Sequence, residues 1–259
     1  TLAVLLIPLS ARGTYGFSQK LIVEVELPDT GLLTNTATVK YSDGTETISQ
    51  SAGVDTTVDL NLTSPTATFG RVDLVGGQYN DRLIAGDASG DTLNGLAGRD
   101  ILTGGAGADK FFVQFAHSLV NGTDWITDFQ INSDPAVGDR IGLRTAAGAG
   151  MDIPTVFTRA ADATVDRINT TNLTTVVNSV FTDANGLATG SQALDINSAA
   201  LVQITATATN NSLHTYLVIN DGTGGFQSTA DSVIDITGYS GTLPEFGAIA
   251  SGTFFVSTL

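Results

Sequence analysis

Apolar and polar residues alternate through much of the first quarter of the chain. Leu21, Val23 and Val25 share one face of an extended run, and Ile22, Glu24 and Glu26 share the other. A period of two is the signature of a half-buried strand. Thr36 to Tyr41 and Glu46 to Ser49 flank Ser42-Asp43-Gly44-Thr45, so two β-rich runs around Asp-Gly predict a hairpin. Val58, Leu60 and Leu62 keep the same spacing, which predicts one further strand over Val54 to Leu62. Four or five antiparallel strands form part of a sandwich. So small a unit is marginal alone and completes its sheet with Leu2 to Ile7 or with another chain.

The pattern then changes period. Asp91, Asp100 and Asp109 stand nine apart, each with an apolar residue two positions on: Leu93, Leu102 and Phe111. The blocks read GDASGDTLN, GLAGRDILT and GGAGADKFF; before them stands GGQYNDRLI with Asp81 and Leu83, offset by the extra residue Ala85. A fixed period of this kind marks a stacked repeat. Each block divides into a six-residue turn and a three-residue strand. Two blocks make one coil, and successive turns fall on opposite edges of a parallel β-roll. The apolar residue faces inward. Turn glycines, Gly86, Gly95, Gly98, Gly104 and Gly107 among them, permit backbone angles that aim carbonyls into the gap between coils. Turns on one edge are two blocks apart, so Asp81 meets Asp100 and Asp91 meets Asp109.

Beyond the repeat, Phe111 to Phe115, Trp125 to Phe129 and Arg140 to Leu143 are short strands expected to cover the end of the roll, with Trp125 as a core anchor. Thr171 to Phe181 predicts a helix; Leu201 to Ala208 and Leu213 to Ile219 predict strands. The organisation expected is an antiparallel segment over 1–68, a roll with its cap over 69–145, and a mainly β domain over 146–259. The fold class is all-β.

Charge sharpens the reading. The net charge is −15, and of the 26 acidic residues only Glu24, Glu26, Glu46 and Glu245 are glutamate. Nucleic acid, which needs clustered Lys and Arg, is excluded as a partner. Short carboxylates beside glycine suit turns that hold hard cations, and calcium takes six to eight oxygen ligands. Asp81, Asp91, Asp100 and Asp109 are the candidate calcium ligands. Without the ion they are like charges held close together, so metal binding is expected to be coupled to folding. Cysteine is absent, which removes disulfides and zinc-thiolate sites. The longest apolar run is too short to span a bilayer. Only His117 and His214 could serve as histidine ligands or bases, and there is no H-E-x-x-H, G-x-S-x-G or P-loop. No enzymatic activity is expected. Asp221 and Asp231 flank a glycine-rich stretch that reads as a tight turn, with a second cation site as the alternative.

The nine-residue blocks resemble the RTX (repeats-in-toxin, haemolysin-type) calcium-binding nonapeptide G-G-x-G-x-D-x-U-x. The block at Gly104 matches every fixed position. Leu96, Asp87, Ser89 and Tyr79 are departures in the others. Downstream, GADKFFV, DWITDFQ and GDRIGL resemble the segment that caps such rolls, where Asp124 or Asp128 completes the last calcium site. The tail from His214 to Leu259, with TYLVINDG and ITGY-GTLP, resembles the bluetail domain of cyanobacterial RTX proteins, which implies type I secretion. GLLTNTATVKYSDG resembles closing strands of Ig-like repeats in bacterial surface proteins. Together these resemblances imply a secreted, calcium-binding structural or adhesive protein. Such a protein would be a calcium-ordered subunit of an S-layer, sheath or surface filament that self-associates through exposed strands. The alternative is a secretion and folding module of a larger enzyme or toxin.

Overall fold

The computed structural model describes the backbone of strands within residues 2–63. It describes residues 71–86, 90–169, 172–182, 185, 187, 192–208 and 212–259 in full. Five strands come first: β1 (Leu2–Leu9), β2 (Gln19–Glu26), β3 (Thr34–Ser42), β4 (Thr47–Asp55) and β5 (Leu60–Thr63). The predicted hairpin is β3 with β4, antiparallel from Thr34↔Asp55 to Ser42↔Thr47; its Asp43-Gly44 turn lies outside the described residues. Leu2 to Ile7 does pair with the N-terminal segment, as β1 against β2. The single strand expected over Val54 to Leu62 is instead two. Its ends, in β4 and β5, belong to different sheets, so the chain crosses from one layer to the other between them.

The repeat supplies β6 (Val72–Val75), β7 (Arg82–Ile84), β8 (Thr92–Asn94), β9 (Ile101–Thr103) and β10 (Lys110–Gln114). After it come β11 (Asp124–Ile126), β12 (Gln130–Ile131) and β13 (Arg140–Arg144). Strands alternate between two parallel ladders, β5-β7-β9-β11 on one face and β6-β8-β10-β13 on the other. Three-residue strands leave one inward side chain each, and the eighth block position fills it. Leu83, Leu93, Leu102 and Phe111 are at most 2% exposed, and Leu74, Ile126 and Ile141 continue the stack. The segments expected to cover the roll are thus further rungs of it.

The remaining elements are β14 (Val156–Arg159), β15 (Ala163–Val165), α1 (Leu173–Val180), β16 (Ser198–Ala206), β17 (Ser212–Ile219), β18 (Ser232–Asp235), β19 (Ser240–Gly241), β20 (Gly247–Ala248) and β21 (Phe255–Val256). Helix α1 buries Leu173, Val176, Val177 and Val180, the i, i+3, i+4, i+7 stripe of a surface helix, against the outer face of β16-β17-β18. Strand β18 adds in parallel to β11, and β21 in parallel to β13, so the C-terminal strands extend both ladders. The roll's open end is closed by aromatic rings. Phe111 and Phe129 lie 6.2 Å apart, Phe129 and Phe254 5.6 Å, and Phe254 and Phe157 5.0 Å. Trp125, expected to anchor this core, is 39% exposed. It falls one residue before the inward Ile126, and strand alternation turns it outward.

Candidate metal centre

The turns are built around their aspartates. In three blocks the carboxylate folds back over the first glycine of its own turn. A Cβ on Gly76, Gly95 or Gly104 would stand 2.5, 2.0 or 2.7 Å from Oδ2 of Asp81, Asp100 or Asp109. The first-position glycine therefore makes room for the acid. Later positions make room for the neighbouring turn: a Cβ on Gly98 would meet the carbonyl of Tyr79 at 2.3 Å, and one on Gly105 the carbonyl of Gly86 at 2.0 Å. Gly98, Gly105 and Gly107 also have φ of +129°, +92° and +113°, where L side chains are strained. At the second position Leu96 takes φ 68° without glycine's freedom.

Consecutive turns on one edge are joined through the same acids. Asp81 N–H donates to Asp100 Oδ1 at 2.7 Å, and Asp91 N–H to Asp109 Oδ1 at 2.9 Å, the two pairings that the spacing predicts. The ladders then run on beyond the blocks. Val72 N–H donates to Asp91 Oδ1, Asp100 N–H to Asp124 Oδ1, and Asp109 N–H to Asp139 Oδ1. Asp124 is thus a rung of one edge. Asp128 sits instead against the Gly104 turn of the other edge, accepting the N–H groups of Gly104 and Gly105. Sequence reasoning missed Asp139. The available signal was its Asp-Arg-Ile triplet, the same D-x-U pattern, but thirty residues from Asp109 instead of eighteen.

The second oxygens separate the rungs. Asp124 Oδ2 accepts Ser118 Oγ–H, and Asp139 Oδ2 accepts Gln130 N–H, so both carboxylates are satisfied by the protein. Asp109 Oδ2 is buried without a hydrogen-bond partner. Asp91 Oδ2 is likewise buried, although the Gly86 N–H lies near enough to the carboxylate to favour its charged form. A buried carboxylate oxygen without a donor is costly unless a cation meets it. The titration behaviour points the same way. Burial, then repulsion from Asp139, Asp91 and Asp128, raises the Asp109 carboxyl to about 8. Burial raises Asp91 and Asp139 to about 6, and it also raises Asp124. Among the described residues no three acids or histidines meet at one point. An ion here would take a carboxylate from each of two stacked turns and complete its shell from turn carbonyls. That donor set is all oxygen and flexible, which fits calcium and does not fit zinc.

Elsewhere, Asp231 is fully buried and accepts the N–H groups of Asp221 and Gln227, which closes the predicted turn from Asn220. No helix among the described residues is long and apolar enough to cross a membrane.

A family profile described as the RTX calcium-binding nonapeptide repeat (4 copies) matches residues 85–113. An S-layer protein of Synechocystis sp. is 30% identical over 197 residues, covering 68% of this chain and 11% of that protein. The chain therefore spans a small part of that relative's length. The repeat spacing, the acidic ladders and the profile match agree: this chain carries RTX calcium-binding nonapeptide repeats, folded as a parallel β-roll.

Proposed function

We propose that this protein is a non-catalytic, calcium-ordered component of an extracellular surface structure, such as an S-layer, sheath or filament. The observation that carries the reading is the buried, partnerless Oδ2 of Asp109 in a ladder of mutually repelling carboxylates. Asp81, Asp91, Asp100 and Asp109, with carbonyls of the glycine turns at Gly86, Gly95, Gly98, Gly104 and Gly107, would hold the ions. Asp128 would orient the Gly104 turn. Calcium neutralises the rungs, and the coils close on Leu83, Leu93, Leu102 and Phe111. Such a chain stays open where calcium is scarce and folds where it is near millimolar, which suits export before folding. Similarity to an S-layer protein supports the surface role.

Association would use the sheet edges, where β1 and β4 end their sheets. Strand addition to such an edge supplies backbone hydrogen bonds without a dedicated pocket. Electron microscopy of the purified chain with calcium, and after chelation, tests the reading. Ordered arrays or fibres that dissolve in chelator are expected. A protein that stays monomeric in both conditions, or assemblies indifferent to calcium, would overturn it.

A further inference from the structure

Beside the acidic ladder lies a cavity of about 270 Å³ that the calcium reading does not use. It forms on the outward face of the larger sheet. Trp125 pairs with Asp235 between β11 and β18, and Asp235 with Tyr216 between β18 and β17. The same face carries His214, two residues from Tyr216, while the opposite face buries Ile126, Ile234 and Leu217 in the core. Helix α1 covers part of this outward face through Leu173, and the cavity opens where that cover stops.

We propose that this cavity binds a neutral sugar residue of a glycan, with the apolar face of the sugar ring on the Trp125 indole. The indole is held for that task. Its Nε1–H donates to the Thr237 carbonyl at 2.8 Å, yet the residue remains 39% exposed, which leaves a fixed flat surface to solvent. Behind it, the His214 and Tyr216 rings stack nearly parallel at 6.1 Å. Polar groups of mixed character ring the aromatic floor. Asp235 Oδ2 and His214 Nδ1 stand 4.0 Å apart, beyond hydrogen-bond reach, and Nδ1 has no hydrogen-bond partner. His214 Nδ1 is itself buried, so the half-buried Asp235 carboxylate is the acceptor of this pair that a ligand hydroxyl can reach. Asn121 offers an amide and Arg99 a guanidinium. One Arg against one Asp leaves almost no net charge in the cavity. An uncharged ligand rich in hydroxyls and apolar on one face, which is the chemistry of a sugar ring, matches this lining of aromatic floor and scattered polar groups. Largely apolar pockets with a few converging polar groups are the usual form of small-ligand sites.

Trp125 is the chain's single tryptophan, so its emission reports the cavity directly. The full chain in calcium should show a saturable emission shift with glucose, galactose, mannose or N-acetylglucosamine, at dissociation constants of about millimolar. Asp235→Asn and Asn121→Ala should weaken that binding about tenfold with unchanged thermal unfolding. Trp125→Ala, followed by calorimetry, should abolish it. Circular dichroism under the same conditions reports the roll separately, so loss of sugar binding and loss of the calcium fold are distinguishable. The proposal is overturned if none of these sugars gives a saturable shift up to about 100 mM. It is overturned equally if binding survives all three substitutions, or if only charged ligands bind.

Discussion

Replacing Asp109 with asparagine should reverse sign with calcium. The amide keeps an oxygen for the Asp91 N–H, now 2.9 Å from Asp109 Oδ1, removes the charge and puts an NH2 where the partnerless Oδ2 stands. In the wild type without calcium, the carboxyl titrates at about 8 in the fold against 3.8 unfolded. A raised carboxyl pKa means the folded state holds its proton more tightly. The fold is then favoured below pH 3.8, and that advantage drains away as pH rises towards 8. At ~1.4 kcal/mol per pH unit, the loss by pH 7 is at most about 4.5 kcal/mol. Solvent screening at the turn reduces it to about 1–2 kcal/mol. Asp109→Asn should therefore stabilise the calcium-free protein by about 1–2 kcal/mol at pH 7. In calcium at a hundred times its dissociation constant, the wild type gains about 2.7 kcal/mol per site, and the variant forfeits its share. Urea unfolding followed by circular dichroism, in chelator and in calcium, measures both. If the wild type is already open in chelator, regained structure in the variant carries the same sign. A variant less stable than wild type in both solutions would refute the argument.

Other consequences follow from the same turns. Gly105→Ala places a Cβ 2.0 Å from the Gly86 carbonyl at φ +92°, and should cost about 2–3 kcal/mol with weaker calcium binding in a terbium-displacement titration. Leu96→Gly releases a side chain held at φ 68° and should raise stability by about 0.5–1 kcal/mol in thermal unfolding. Because Asp109 holds a proton up to about pH 8 without metal, calcium binding at pH 7 should release protons. Apparent affinity should then climb between pH 6 and 8, read by calorimetry in buffers of different ionisation enthalpy.

The chain states its own repeat because the relevant spacings are local. A carboxylate, a glycine and an inward apolar residue recur within nine positions, so the sequence alone places Asp81, Asp91, Asp100 and Asp109 on the edges and Leu83, Leu93, Leu102 and Phe111 in the core. Helix α1 and the β3–β4 hairpin were legible for the same reason. Tertiary structure alone decided what lies at longer range. Asp124 and Asp139 continue the ladders across 24 and 30 residues, where inserted loops hide the period. Strand β18 joins β11 although Asp124 and Ile234 are far apart in sequence, and no local pattern encodes which edge a distant strand will find. Trp125 shows the limit most plainly. Its hydrophobicity suggested the core, but the backbone's alternation, set by Ile126 facing inward, left it in the open.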